Sequence, residues 1–320
     1  LSLVGVTVTS ETLTNNSSST ILQASGVSGW GSNVVLNADL QIQSLSGTFD
    51  ISGAISGTGG LTKELSGTLR FSGSSANNYD GPTTVNEGVL ELAKASAINS
   101  SSLLTIGDGV GGVGADIVRY FASNPVNSAV PIRILDSGLL DMNGFSDSLG
   151  VLTLIGGDIT TGVGTLSMSG NLFATSTSAG GSANISGILN LGASTRTFTV
   201  TNGPITPDLT ISAQVIGTGG IIKAEGGMMS LQNSNTFSGA VTVNDGALRG
   251  TDNFSFGTTA GGVTVNGAAG LQLSSAHIGD EALTLNTSNT LGFQPLAGSN
   301  SWAGTVTVQG TAYLSPNLAG

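Results

Sequence analysis

Cysteine is absent from the 320 residues, so neither disulfide staples nor thiol chemistry is open to this chain. Charge is nearly as scarce: Asp, Glu, Lys and Arg make up 8%, against about 25% in ordinary soluble domains. The shortage falls mainly on the cations. Lys and Arg number 8, none precedes Lys63, none follows Arg249, and the net charge is −11. Such a chain repels phosphate backbones and anionic lipid, which argues against nucleic acid as a partner. The single histidine, His277, rules out a multi-histidine zinc site. Long apolar runs are missing too. Ser, Thr, Asn and Gly interrupt each one short of the ~18 residues a membrane helix needs, so no membrane insertion is expected of this segment.

What the chain does have is glycine, 50 residues of it, and apolar residues in alternation. In Gly57–Leu92, Leu61 opens one strand, Leu69 and Phe71 alternate with polar residues in a second, and Val85, Leu90 and Leu92 line a third. Period-two alternation places the apolar set of each strand on one face. Gly59-Gly60, Ser66-Gly67 and Asn86-Glu87-Gly88 supply the corners. Gly217–Leu248 repeats the stretch almost position for position: Gly57, Gly59, Gly60 and Lys63 return as Gly217, Gly219, Gly220 and Lys223. A degenerate third copy runs Asn289–Val308. All three carry aromatic-x-Gly-x-x-Thr-Val, with Tyr79, Gly81 and Val85, then Phe237, Gly239 and Val243, then Trp302, Gly304 and Val308. Asn86-Glu87-Gly88 and Asn244-Asp245-Gly246 close the two full copies. Repetition of this kind marks a stacked architecture, in which each unit covers its neighbour's open face.

At these residues the chain resembles the autotransporter-associated β-strand repeat. The resemblance implies a right-handed parallel β-helix in a secreted or surface-displayed bacterial protein. It is strong over 55–175 and 210–250 and weaker at both ends. Coils of about 20–25 residues give on the order of 14 coils with irregular loops, read here as one β-solenoid over 1–320 with repeat copies near 55–92, 215–248 and 289–314. Residues 1–54 read as strand-rich coils, Glu91–Ser102 as a short helical bulge because of its alanines, and FATSTSAGGSAN at 173–184 as a surface loop. No signal peptide is visible at Leu1 and no membrane barrel after Leu314, so the chain reads as a mature part or fragment of a longer surface protein.

Candidate chemistry is thin. Gly107–Gly112 satisfies GxGxxG, but no helix pattern follows, and a turn is preferred. Gly111–Arg119 fits the calcium nonapeptide GGxGxDxUx, which makes Asp108 and Asp116 the calcium candidates. Tandem copies are missing, so the favoured expectation is no cofactor and no catalytic residue. The nearest acid sets, Asp136 with Asp141, Asp141 with Asp147 and Asp280 with Glu281, are too few for a charged polysaccharide groove. His277 has Ser274, Ser275 and Asp280 near in sequence, and a solvated histidine is preferred over a triad. Trp302 is expected to pack at a coil corner. Lys63-Glu64 and Lys223-x-Glu225 suggest a cross-link or ligand contact, against the plainer expectation of a solvated corner. Asn86, Asn244 and Asn266 are expected to bond between coils.

The resulting expectation is a non-enzymatic extracellular structural protein at the bacterial surface, a rigid stalk, adhesin or fibre-forming component. Its partners would be copies or neighbouring repeats of itself. The alternatives are a module that binds polysaccharide or a host surface and, last, a β-helical polysaccharide lyase or hydrolase.

Overall fold

The computed structural model describes residues 1–99, 102–287 and 292–312. Among the described residues there is no helix; the chain is an all-β parallel solenoid of about 14 turns. It divides into two compact units, Leu1–Leu166 and Ser167–Gly320. The division falls inside the strand Asp158–Met168, where no change of composition announces it.

In the first unit the chain climbs one strand spacing per coil. Leu40, Leu61, Thr83, Leu104, Ile132 and Leu152 are register partners in turn, 21, 22, 21, 28 and 20 residues apart. The long step is the coil that carries the glycine-rich loop 107–115. A second sheet stacks Phe49, Leu69, Leu90, Val118 and Leu140, all fully or almost fully buried. A third wall pairs Leu13–Asn15, Val34–Leu36, Ile55–Gly57 and Asn78–Tyr79. Leu61–Glu64, Thr68–Phe71 and Thr83–Val85 alternate buried and half-exposed positions, so the period-two sequence pattern becomes an inward and an outward row. Burying one such Leu or Ile contributes about 1.5–3 kcal/mol, and parallel pairing satisfies the backbone between coils.

The second unit repeats the scheme. Leu172, Phe198, Lys223, Val243, Val265, Leu285 and Val308 form one ladder. Ala183, Leu209, Met229, Leu248, Leu271 and Phe293 form another. Val308 is 50% exposed whereas Val85 and Val243 are buried. Among the described residues no further strand pairs beyond Val306–Val308. The opening of the third repeat copy, 289–291, lies outside the described residues, as does 313–320.

One expectation fails outright. Glu91–Ser102 forms no helix over its described residues: Gly88–Leu92 is a strand, and the chain then turns. Ala97 is fully buried, so this alanine fills a narrow interior instead of favouring helix. Lys94 is buried beside it, its Nζ donating to the carbonyl of Gly53 at 3.0 Å.

Candidate functional site

The repeat's fixed residues turn inward, and its glycines mark where backbone meets backbone. A Cβ on Gly59 would lie 2.2 Å from the Ala38 carbonyl, and one on Gly219 would lie 2.2 Å from that of Ser194. Gly60 and Gly220 face the carbonyls of Pro82 and Ala240. Gly81 would meet Gly60 N at 2.2 Å, Gly239 would meet Gly220 N at 2.3 Å, and Gly304 would meet the Glu281 carbonyl at 1.9 Å. Gly57 and Gly217, at φ +109° and +111°, need glycine twice over, for conformation and for space.

The lysines overturn the expectation of a solvated corner. Lys63 sits between Ile42 and Val85 in an apolar ladder, Lys223 sits between Phe198 and Val243, and both are fully buried. Lys63 Nζ donates to the carbonyls of Glu64 (3.1 Å), Glu87 (2.9 Å) and Leu65. Lys223 Nζ donates to those of Ala224 (3.1 Å), Asp245 (3.0 Å) and Glu225. Leu65 and Glu225 both stand at φ +66°, a left-handed conformation for residues that are not glycine. The ammonium thus gathers three carbonyls that the strand-to-strand turns leave unpaired, two from its own coil and one from the next. Burial pulls both lysines down to about 8, against the opposing pull of neighbouring carboxylates, led by Glu87 for Lys63 and Asp245 for Lys223.

Two further residues of the repeat tie coils together and were not singled out from the sequence. Asn77 accepts from Ile55 N (3.0 Å) and donates to the Ala97 carbonyl (2.7 Å). Asn235 accepts from Val215 N (2.8 Å) and donates to the Ser255 carbonyl (2.7 Å). Their signal was present: each stands two residues before the motif aromatic. Of the asparagines expected to bond between coils, Asn266 donates to Asn244 (3.0 Å), and Asn86 also bonds to the neighbouring coil, there to Glu64 Oε1 (2.8 Å). Tyr79 and Phe237 are buried, whereas Trp302 is half-buried against Phe256 and Phe293, its indole donating to the Glu281 carbonyl at 2.7 Å. Trp30 is buried as well.

Beside Glu64 and Glu87, whose carbonyls Lys63 holds, opens a pocket of about 590 Å³ lined also by Ser66, Asn86, Asp108, Val110, Gly111 and Ala115-Asp116. Asp116 is fully buried, and neither carboxylate oxygen lies within hydrogen-bonding geometry of a donor. Burial pushes its pKa up to about 6, partly offset by the nearby Ser137 hydroxyl and the Asp108 backbone N–H, while the Asp108 and Glu87 carboxylates add repulsion. Asp108 is exposed, with one oxygen accepting from Val110 N at 2.8 Å. The loop's glycines 107, 109, 111, 112 and 114 all have positive φ, and no helix follows them to cradle a pyrophosphate.

The acid sets from the sequence have separate duties. Asp141 pairs with Arg119 at 2.7 Å, Asp147 is buried and accepts from Ser148 N at 2.8 Å, and Glu281 is buried while Asp280 is exposed. His277 Nδ1 meets Ser301 Oγ at 2.9 Å, its neighbour on the next coil, not Ser274 or Ser275. Among the described residues no helix is long and apolar enough to cross a membrane.

Two stretches, 61–92 and 221–249, match the family model described as Passenger-associated-transport-repeat. The chain carries passenger repeats. Each match covers the buried lysine of one full copy and its strands, from Leu61–Glu64 to Gly88–Leu92 in the first and from Ile221–Ala224 into Ala247–Gly250 in the second. Over 179 residues, 55% of this chain, it is 30% identical to the Adhesin BmaC autotransporter of Brucella suis biovar 1 (strain 1330). The aligned part spans 5% of that relative's length. No solved structure matches the chain.

Proposed function

We propose that the chain is a scaffold segment of a bacterial surface adhesin, a non-enzymatic stiff spacer that displays its outer faces outside the cell. The observation that carries this is the orientation of the repeat. In both full copies the recurring glycines, lysine, aromatic and valine are spent on the interior and on coil-to-coil contact. The outward rows, such as Thr62, Thr84, Ile222 and Thr242, are left to hydroxyls and other variable residues. A repeat built that way conserves a shape and leaves the surface free, which suits display better than a fixed reaction centre. The name of the aligned relative supports the same reading.

Beads coated with the purified chain are expected to bind host-cell or polysaccharide surfaces saturably, while the protein releases no sugar from pectin, alginate or hyaluronan. Sugar release, or binding no better than that of beads coated with the heat-denatured chain, would overturn the proposal. Fibre formation is a finer reading, and electron micrographs showing only dispersed 31.5 kDa particles would exclude it.

Within the adhesin reading, one feature favours a neutral glycan as the bound surface. Phe254 is 58% exposed beside a pocket of about 390 Å³ lined by Ser234, Asn235, Thr236, Thr258 and Thr259, with no charged side chain. Its turn is fixed by Asp252 Oδ1, which accepts from Phe254 N at 2.9 Å, and by the Phe254 carbonyl, which accepts from Asn235 N at 3.1 Å.

A further inference from the structure

We propose that Asp116 and Asp108 form a low-affinity calcium site at the mouth of the loop 107–115, independent of what the outer faces bind. The starting point is a carboxylate that the fold does not satisfy. Asp116 is fully buried on the strand Asp116–Tyr120 and lines the pocket beside Glu64 and Glu87; neither of its oxygens makes a hydrogen bond of good geometry, the Ser137 hydroxyl and the Asp108 N–H being the donors that approach it. A buried carboxylate left unpaired is costly, and a bound ion is one standard remedy.

The surroundings supply the right charge. Asp108, Glu64 and Glu87 line the same pocket, and no Lys or Arg does. The nearby cation is the buried Lys63, which feels the charge of Asp116 but has its three hydrogens committed to carbonyls. One oxygen of Asp108 is held by Val110 N, and its carboxylate stays exposed at the rim. Ser66 and the Asn86 side chain contribute neutral oxygens to the lining.

Among the described residues no three acidic or histidine side chains already stand as a metal cage. The site therefore offers two principal carboxylates, with neutral oxygens and water completing the shell. That composition selects calcium over magnesium, because calcium accepts six to eight irregular oxygen ligands and magnesium demands a tight octahedron. It also sets the strength, with a dissociation constant of about 10⁻⁴–10⁻³ M, the range of extracellular modules.

The test is calorimetric titration of the EDTA-stripped chain with CaCl₂ and, separately, MgCl₂ at neutral pH. One saturable calcium site is expected, weakened about tenfold or more in Asp116→Asn and less in Asp108→Asn. Asp280→Asn, an exposed acid of the other unit, should leave it unchanged. Circular dichroism establishes that each variant is folded, and Asp108→Asn carries the test if Asp116→Asn is not. The site is overturned by no saturable heat up to about 10 mM calcium, by tighter magnesium binding, or by wild-type affinity in the tested variant. Any of these would leave Asp116 as a buried carboxylate whose cost the fold bears without an ion.

Discussion

Gly57–Leu92 in the first unit and Gly217–Leu248 in the second agree wherever main chain touches main chain. They part company where side chain touches side chain. Gly57 and Gly217 share a backbone angle to within a few degrees, and Leu65 and Glu225 share φ +66° although one is apolar and the other acidic. Nothing about the side chain matters at that corner, because the lysine below uses only the carbonyl. By contrast, Tyr79 and Thr83, joined by a hydrogen bond of 2.5 Å, become Phe237 and Val241. The pair changes together, polar for polar and apolar for apolar. Asn86 reaches Glu64, whereas its counterpart Asn244 accepts from Asn266 on the next coil. The comparison teaches that the repeat specifies backbone approach and a buried cation, and leaves side-chain pairs interchangeable provided that each pair satisfies itself.

The largest effect should come from the glycine contacts. Gly81→Ala and Gly239→Ala each drive a methyl into backbone atoms that lie 2.2–2.3 Å from its position. Because those atoms belong to strand-flanking main chain and cannot step aside, each substitution should cost about 3 kcal/mol or more in urea unfolding. Gly226→Ala meets nothing within 4 Å and should stay within about 0.5 kcal/mol of wild type. Tolerance in one copy alone would break the backbone equivalence of the two.

The lysines come next. Lys63→Met and Lys223→Met keep length and apolar packing but strip the donor from three carbonyls, a loss of about 2–3 kcal/mol in each copy. Their pH dependence has a definite sign. Burial lowers both to about 8 from the ordinary 10.5, so between those values the unfolded chain binds more protons than the folded one. Stability therefore rises with pH across that window in the wild type, and the slope should diminish in each Met variant. Identical slopes would mean that the ammonium is solvated.

How much of this could be read in the residues themselves follows from the same physics. Alternation and recurring glycines are local patterns, so the strands at Leu61 and Leu69, and the coil that repeats them, were legible; the third strand, read as one through Val85, Leu90 and Leu92, is two, Thr83–Val85 and Gly88–Leu92, which lie in different sheets. The burial of Lys63 was not. A charge in sequence reads as solvent, and only the folded corner reveals three carbonyls pointing inward. Ala97 misled for the opposite reason, since alanine suits a helix and a narrow core alike. Asn77 and Asn235 were visible as a recurrence, but the bonds they make run to residues twenty positions away, on the neighbouring coils. The unpaired oxygens of Asp116 depend on what a loop fails to offer, which no spacing encodes.

The finest test converts one copy into the other. Tyr79→Phe alone removes the hydroxyl that bonds Thr83, leaving a small polar group buried beside a ring, and should cost about 1 kcal/mol. Thr83→Val alone strands the Tyr79 hydroxyl in the interior and should cost more, about 1–3 kcal/mol, because an unsatisfied buried donor carries its full desolvation penalty. Together they recreate Phe237 and Val241, which are buried without either hydroxyl. The double variant should therefore lie closer to wild type than the two single losses added together, with a coupling of about 1 kcal/mol or more in a double-mutant cycle. Simple additivity would mean that the two copies do not solve this contact as interchangeable pairs, and that Tyr79 answers to some other neighbour in its own unit.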